Sequence, residues 1–100
     1  TGKKRSVAFP NLPTFEESGM KGFEANAWFG LFAPSGTPPA VVQRLNDALA
    51  AALKDELIKT RLAAQGDEVS YSTPENFARF IEAESTKWTQ VMKAVDLKVD

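Results

Sequence analysis

The sequence predicts a mixed α/β fold with few strands, and three observations carry that prediction. Two Thr-Pro pairs, Thr37-Pro38 and Thr73-Pro74, each precede an apolar stripe that recurs at three- and four-residue steps. An 11-residue segment, Phe23 to Ala33, is apolar on alternate residues, and glycines and prolines cut the first 22 residues into short pieces. Stripes at helical spacing predict helices, and a run that is apolar on alternate residues predicts a strand.

Taken in order, residues 1 to 22 are punctuated by Pro10, Pro13, Gly19 and Gly22. Within them Thr14-Phe15-Glu16-Glu17 has the form of a capping box, and Gly19 follows as a left-handed stop. This predicts one or two turns of helix and then a loop. In Phe23 to Ala33 one parity (Phe23, Ala25, Ala27, Phe29, Leu31) is apolar throughout, and the other (Glu24, Asn26, Trp28, Gly30, Phe32) becomes apolar at Trp28. The pattern fits a strand half exposed at its start and buried on both faces at its end, about twice the ordinary length, running from one packing environment into another. Gly30 marks a bend or bulge in it.

Thr37 is expected as an N-cap, with Pro38 at the first helical position. Val41, Val42, Leu45, Ala48, Leu49, Ala52 and Leu53 then form the stripe of the most strongly signalled helix. Lys54 and Asp55 interrupt it, and a shorter helix follows with Leu57, Ile58 and Leu62 inward, closed by Gly66. Glu68 to Tyr71 is a short strand candidate. Thr73 and Pro74 open a helix of about 20 residues whose face carries Phe77, Phe80, Ile81, Glu84, Trp88, Val91, Met92 and Val95, with Trp88 expected in the core. Leu97 and Val99 alternate with charges as a terminal strand or a frayed tail.

Composition removes several classes of function. The 100 residues hold 12 Lys plus Arg against 13 Asp plus Glu, with no Cys and no His. Without thiolates or imidazoles there is no disulfide framework, no Cys or His nucleophile-base pair and no zinc site of the usual kind. A net charge of -1 provides no broad positive field, so nucleic acid is not an expected partner. No stretch reaches the roughly 18 apolar residues of a membrane span, and the chain reads as soluble. Its start, Thr1-Gly2-Lys3-Lys4-Arg5-Ser6, has no apolar run behind the basic cluster, so it is not read as a signal peptide and suggests a processed, trimmed or excised segment.

No side-chain constellation points to catalysis. Glu16 and Glu17 sit at a helix start, where acidic groups offset the positive end of the dipole. Glu82 and Glu84, two apart on a helix, point in different directions. Glu84 falls on the apolar face, where it either snorkels or pairs with Lys87 or Lys93. Pro34-Ser35-Gly36-Thr37 resembles a phosphate-cradling turn only superficially, having one Gly and no Lys. The candidate ligand-binding residues are Asn26, Trp28 and Phe29. Strand neighbours point to opposite faces, so one of the two aromatics feeds a core while the other faces a cleft. Asn26, on the parity of Trp28, is suited to hydrogen-bond a ligand or to cap a turn.

Read together, Leu12-Pro13-Thr14-Phe15-Glu16-Glu17-Ser18-Gly19, the run from Gly22 through Trp28-Phe29-Gly30 to Pro38, Val41 to Asn46, Arg61 to Gly66 and Ser72 to Phe77 resemble the C-terminal third of the tripartite tricarboxylate transporter substrate-binding proteins, the Bug or TctC-like extracytoplasmic solute receptors of bacteria. Trp88 and the Leu97-Lys98-Val99 ending also fit. The resemblance implies the C-terminal part of a periplasmic-binding-protein-like (type II) two-lobe fold, helix-rich with few strands. It implies a periplasmic, non-catalytic receptor that closes over a small carboxylated solute, needs no cofactor or metal, and hands the solute to the membrane permease components of the transporter. On this basis residues 1–22 end the second lobe, 23–33 cross between lobes, and 34–100 form the helical part of the first. Asn76 stands where many relatives carry Glu, and Met20-Lys21 replaces the commoner Leu-Pro.

Segments of two lobes without their partners are expected to expose apolar helix faces and strand edges, and so to self-associate, to swap elements, or to be completed by further chain. The residues alone leave an alternative open: a small α/β protein-interaction module whose stripes at 41–53 and 77–95 bury against a partner, with no small-molecule ligand.

Overall fold

Three helices supply all the regular secondary structure among residues 1–96, which are the residues that a computed structural model of the chain describes: α1 (Pro39–Leu53), α2 (Glu56–Ala64) and α3 (Pro74–Ala94). The chain divides into two units, residues 1–33 and residues 34–100. All three helices belong to the second. The tail at Leu97 to Val99 lies outside the described residues.

The two Thr-Pro pairs open their helices differently. Thr73 caps α3 as expected: its hydroxyl accepts from the Asn76 amide at 3.2 Å, and Pro74 is the first helical residue. Thr37 does not cap α1. Its hydroxyl donates to the Pro34 carbonyl at 2.7 Å, its amide donates to the same oxygen at 3.2 Å, and Gly36 between them has φ +85°. The start of α1 falls one residue later than expected, with Pro38 as N-cap at ψ 140° and Pro39 first in the helix. The cause is local: a residue before a proline is driven out of the α region, and Pro38 precedes Pro39 whereas Pro74 precedes Glu75.

Asp55, expected only as an interruption, is the device that separates α1 from α2. It lies in the extended region, and its carboxylate accepts from the Leu57 and Ile58 amides at 2.8 and 3.4 Å. Gly66 ends α2 as expected, at φ +83°. The Asp67 amide donates back to Leu62 and the Gly66 amide to Ala63, the bond pair of a Schellman motif. No strand forms at 68–71. A strand needs a neighbour to exchange backbone bonds with, and here α1 supplies a side chain instead. The Asn46 side-chain amide donates to the Ser72 carbonyl at 3.0 Å and its oxygen accepts from the Tyr71 hydroxyl at 2.9 Å.

Within this unit α1 packs against both α2 and α3. Val42, Asn46, Leu49 and Leu53 of α1 are half-buried, spaced at four, three and four residues, and so are Phe77, Ile81 and Glu84 of α3. No hydrophobic residue among those described is fully buried. Trp88 corrects the expectation of a core position: it is 41% exposed, because the three helices present more apolar face than they cover for one another.

The first unit has turns but neither helix nor strand. The predicted short helix reduces to one turn, in which the Ser18 amide bonds the Thr14 carbonyl, and Gly19 at φ +109° closes it with a second Schellman pair, Met20 to Phe15 and Gly19 to Glu16. The predicted strand at 23–33 is likewise absent: the segment carries no regular secondary structure. Its Ala25 amide bonds the Thr1 carbonyl at 3.1 Å, which is one contact where a ladder requires a series.

Candidate functional site

Asn26, Trp28 and Phe29 all fall in the unstructured segment of the first unit. All three are exposed, Phe29 at 88% and Trp28 at 37%. The alternation that would set Asn26 and Trp28 on one face and Phe29 on the other depends on a strand, and no ladder fixes it here. Asn26 points its side-chain amide at a carboxylate, donating to Glu24 Oε1 at 3.2 Å, while Lys3 Nζ lies 3.8 Å from Glu24 Oε2. An amide N–H and an ammonium thus meet one carboxylate on this surface. Gly2 sits against this group, close enough that a Cβ there would come 3.4 Å from Asn26 Oδ1.

What anchors this unit is a polar network around Thr14, which at 5% exposure is the only buried polar residue described. Thr14 and Glu17 form the full capping box read from the sequence: the Thr14 amide donates to Glu17 Oε2 at 2.9 Å, and the Glu17 amide donates to Thr14 Oγ1 at 3.1 Å. Arg5 adds what the sequence did not signal. Its Nε donates to Glu17 Oε2 at 2.8 Å and its guanidinium to the Pro10 carbonyl at 3.2 Å, tying residue 5 to both ends of the following loop. The Thr14 amide first, and the Arg5 guanidinium next, hold the Glu17 carboxyl below the usual glutamate range. Nearby, the Phe15 and Phe23 rings lie 5.2 Å apart in a tilted pair.

In the second unit Glu84 lies on the apolar face and is paired, with Lys87 as the partner. Lys87 Nζ is 2.9 Å from Oε1, and Trp88 Nε1 donates to Oε2 at 2.8 Å. These two bonds, the lysine's first, hold the Glu84 carboxyl below its ordinary value. Asn76 forms half a capping box: its amide meets Thr73, but its side-chain oxygen takes Arg79 instead of turning back. Thr37 is committed to the Pro34 carbonyl, so the turn at 34–37 is a self-satisfied turn and not an anion cradle. Among the described residues no three Asp or Glu side chains gather where they could hold a metal ion, and no helix is long and apolar enough to cross a membrane.

Comparison with known proteins covers nearly the whole of the sequence. The family described as "Tripartite tricarboxylate transporter family receptor" matches residues 1–97. Protein BugT of Bordetella pertussis is 35% identical over 95 residues, which are 95% of this chain and 29% of BugT. The UPF0065 protein in the gbd 5′ region of Cupriavidus necator is 40% identical over 86 residues, 86% of this chain and 26% of that protein. The UPF0065 protein in the tcbD-tcbE intergenic region of Pseudomonas sp. (strain P51) is 33% identical over 93 residues, 92% of this chain and 28% of that protein. The chain therefore spans less than a third of the length of these relatives. No solved structure matches it.

Proposed function

Because the chain belongs to the tripartite tricarboxylate transporter receptor family, we propose that it is a segment of a solute receptor that captures a small carboxylated compound in the periplasm and delivers it to the transporter's membrane components. Receptors of this family bind solutes and are not enzymes. The observation that carries the reading is the family match over residues 1–97. The family is of the periplasmic-binding type, which supports reading the helix-rich chain as part of such a fold. On this reading residues 1–22 end one lobe, 23–33 cross between lobes, and 34–100 supply helices to the other.

Asn26, Trp28 and Phe29 then form the cleft wall, with Asn26 and Trp28 facing the solute from one side of the strand and Phe29 packing behind it. Asn26 would exchange the Glu24 carboxylate for the solute's, the Trp28 ring would exclude water from its carbon skeleton, and Lys3 would add charge at the rim. The interaction-module reading shares the exposed helix stripes, but nothing in it accounts for a match that also covers residues 1–37.

Thermal unfolding of a full-length receptor carrying these 100 residues, against a panel of mono- and dicarboxylic acids and amino acids, tests the proposal. A ligand that binds only the folded protein adds about 2.7 kcal/mol at a hundred times its Kd, enough to raise the melting point by several degrees. The expected result is stabilisation by at least one acid, lost on Asn26→Ala or Trp28→Ala. Stabilisation by none of them overturns the reading.

A further inference from the structure

Residues 1–3 and 24–26 lie against each other in the first unit. The Ala25 amide donates to the Thr1 carbonyl at 3.1 Å, and this bond brings Lys3 beside Glu24. The Glu24 carboxylate is met from two directions: Asn26 Nδ2 donates to Oε1 at 3.2 Å, and Lys3 Nζ stands 3.8 Å from Oε2. A neutral N–H that fixes direction and an ammonium that supplies charge are the two kinds of donor that a free carboxylate also takes.

Glu24 is only two residues from Asn26, so its carboxylate stays within reach of that amide wherever the side chain turns. A group on so short a tether acts at an effective concentration in the millimolar range, and a free acid drawn to Asn26 has to displace it first. Displacement is cheap here. The Glu24 side chain is 36% exposed and that of Lys3 75%, so the displaced carboxylate turns into water, and the pair it leaves is a weak surface one. The fold does not hang on the pair either, because the bond that joins the two segments through their backbones, Ala25 to Thr1, is independent of it.

We propose that Glu24 is an internal competitor for the carboxylate of the solute. It holds the Asn26 amide and the Lys3 ammonium in the receptor without solute, gives them up when an acid binds, and takes them back as the acid leaves. A receptor built in this way binds its acid less tightly than its donors alone would, and releases it more readily to the next carrier. The proposal rests on the receptor reading for Asn26 as a solute contact. Its test follows Asn26 itself with a generic carboxylate, so the two fail separately.

Acetate is the probe, added at constant ionic strength against chloride to a full-length receptor carrying these 100 residues. The Asn26 side-chain amide is followed by proton–nitrogen NMR in protein labelled at asparagine, and is assigned by its absence from Asn26→Asp. Without acetate, Glu24→Ala should already move this signal, because its acceptor is gone. Acetate should then reach half its effect at a concentration about two- to fivefold lower in Glu24→Ala than in the unaltered receptor, the factor that an exposed ion pair is worth. Glu24→Gln keeps an acceptor for Asn26 but no charge for Lys3, and should fall between the two. An Asn26 signal indifferent to Glu24→Ala overturns the proposal, and so does acetate binding that is equal or weaker in that variant. Acetate that moves the Asn26 amide in neither protein overturns it as well, since there is then no carboxylate for Glu24 to compete with. If Glu24→Ala prevents the receptor from folding, judged by its thermal transition, Glu24→Gln carries the comparison with the same sign. A receptor whose melting point rises with some acid while Asn26 stays unresponsive to acetate keeps the receptor reading and loses this one.

Discussion

The two units of this chain are ordered by different means. Residues 34–96 form three helices whose ends are set by neighbours in sequence: Asp55 and Thr73 at the starts, Gly66 at a stop, Pro39 and Pro74 at first positions. Residues 1–33 have neither helix nor strand, and what order they have comes from a few side chains reaching across the loop, above all Arg5 to Glu17 over twelve positions. A helix closes its hydrogen bonds within itself, so it appears without its tertiary partners; a strand closes none, so it does not. The difference makes the helical unit sensitive to its own backbone and the first unit sensitive to the few side chains that cross its loop.

The largest effect separates the units by proline. Ala83→Pro removes a bond in the interior of α3 and places its ring against the Arg79 carbonyl, at a cost of about 3 kcal/mol or more. Far-UV circular dichroism of the 100-residue chain should lose a large part of its helical signal. Gly30→Pro, in the segment without regular structure, should leave that signal unchanged. In a full-length receptor the order reverses for residue 30: if 23–33 becomes a central crossing strand, Gly30→Pro removes a ladder donor and lowers the melting point. A full-length receptor indifferent to Gly30→Pro would put residue 30 outside any ladder, as the bend or bulge read there does.

Next in size are the two Schellman glycines, one in each unit. Gly66 at φ +83° and Gly19 at φ +109° have nothing within 4 Å of where a Cβ would stand, so substitution by Ala costs only the left-handed backbone, roughly 1–2 kcal/mol. Gly66→Ala should fray α2, visible as faster amide exchange at Gln65 to Asp67. Gly19→Ala should release the turn at 14–19 and leave the helices untouched. Smaller still is the contrast between the two threonines. Thr73→Ala should cost about 1 kcal/mol of α3 stability by orphaning the Asn76 amide. Thr37→Ala should leave the start of α1 in place, since no helical amide of α1 bonds its side chain.

These contrasts also explain how much was legible in the sequence. Much of what is decided within four or five residues could be read: the three helices, the Thr73 cap, the Thr14–Glu17 box and both glycine stops; the Asp55 cap was read only as an interruption, and for Glu84 snorkelling, Lys87 and Lys93 were all left open. The start of α1 was misplaced by one residue because the Thr-Pro signal was read without the second proline behind it, a signal that is in the sequence and would have corrected it. The strands at 23–33 and 68–71 were not legible in this sense. Their alternation is real, but whether it becomes a ladder depends on a neighbour, and none pairs with them among the described residues. Trp88 was misread for the same reason, since helical periodicity says which residues share a face and not what covers it. Arg5 to Glu17 and Asn46 to Tyr71 and Ser72 are long-range polar contacts with no spacing rule to announce them. The candidate residues Asn26, Trp28 and Phe29 were chosen for chemistry, and all three are exposed.

The smallest predicted effect concerns acid, and here too the units differ in cause. Glu17 and Glu84 both have carboxyls held below the ordinary glutamate value of 4.5, so each contributes stability that is present above that value and fades as pH falls through its own lower one. The sign is the same for both: acidification loosens the fold. For Glu17 the first cause is a neutral backbone amide, that of Thr14, with Arg5 second, whereas for Glu84 the first is the charged Lys87. Salt screens a charge but has little hold on an amide dipole, so the Glu84 titration should move up toward 4.5 in concentrated salt and that of Glu17 should move less. Carbon-detected NMR titration of the two carboxyls at low and high salt gives both midpoints. Arg5→Met should raise the Glu17 midpoint without restoring it fully, because the Thr14 amide remains. A Glu17 midpoint that returns to 4.5 in that variant would mean that the ion pair, not the Thr14 amide, holds the carboxyl down.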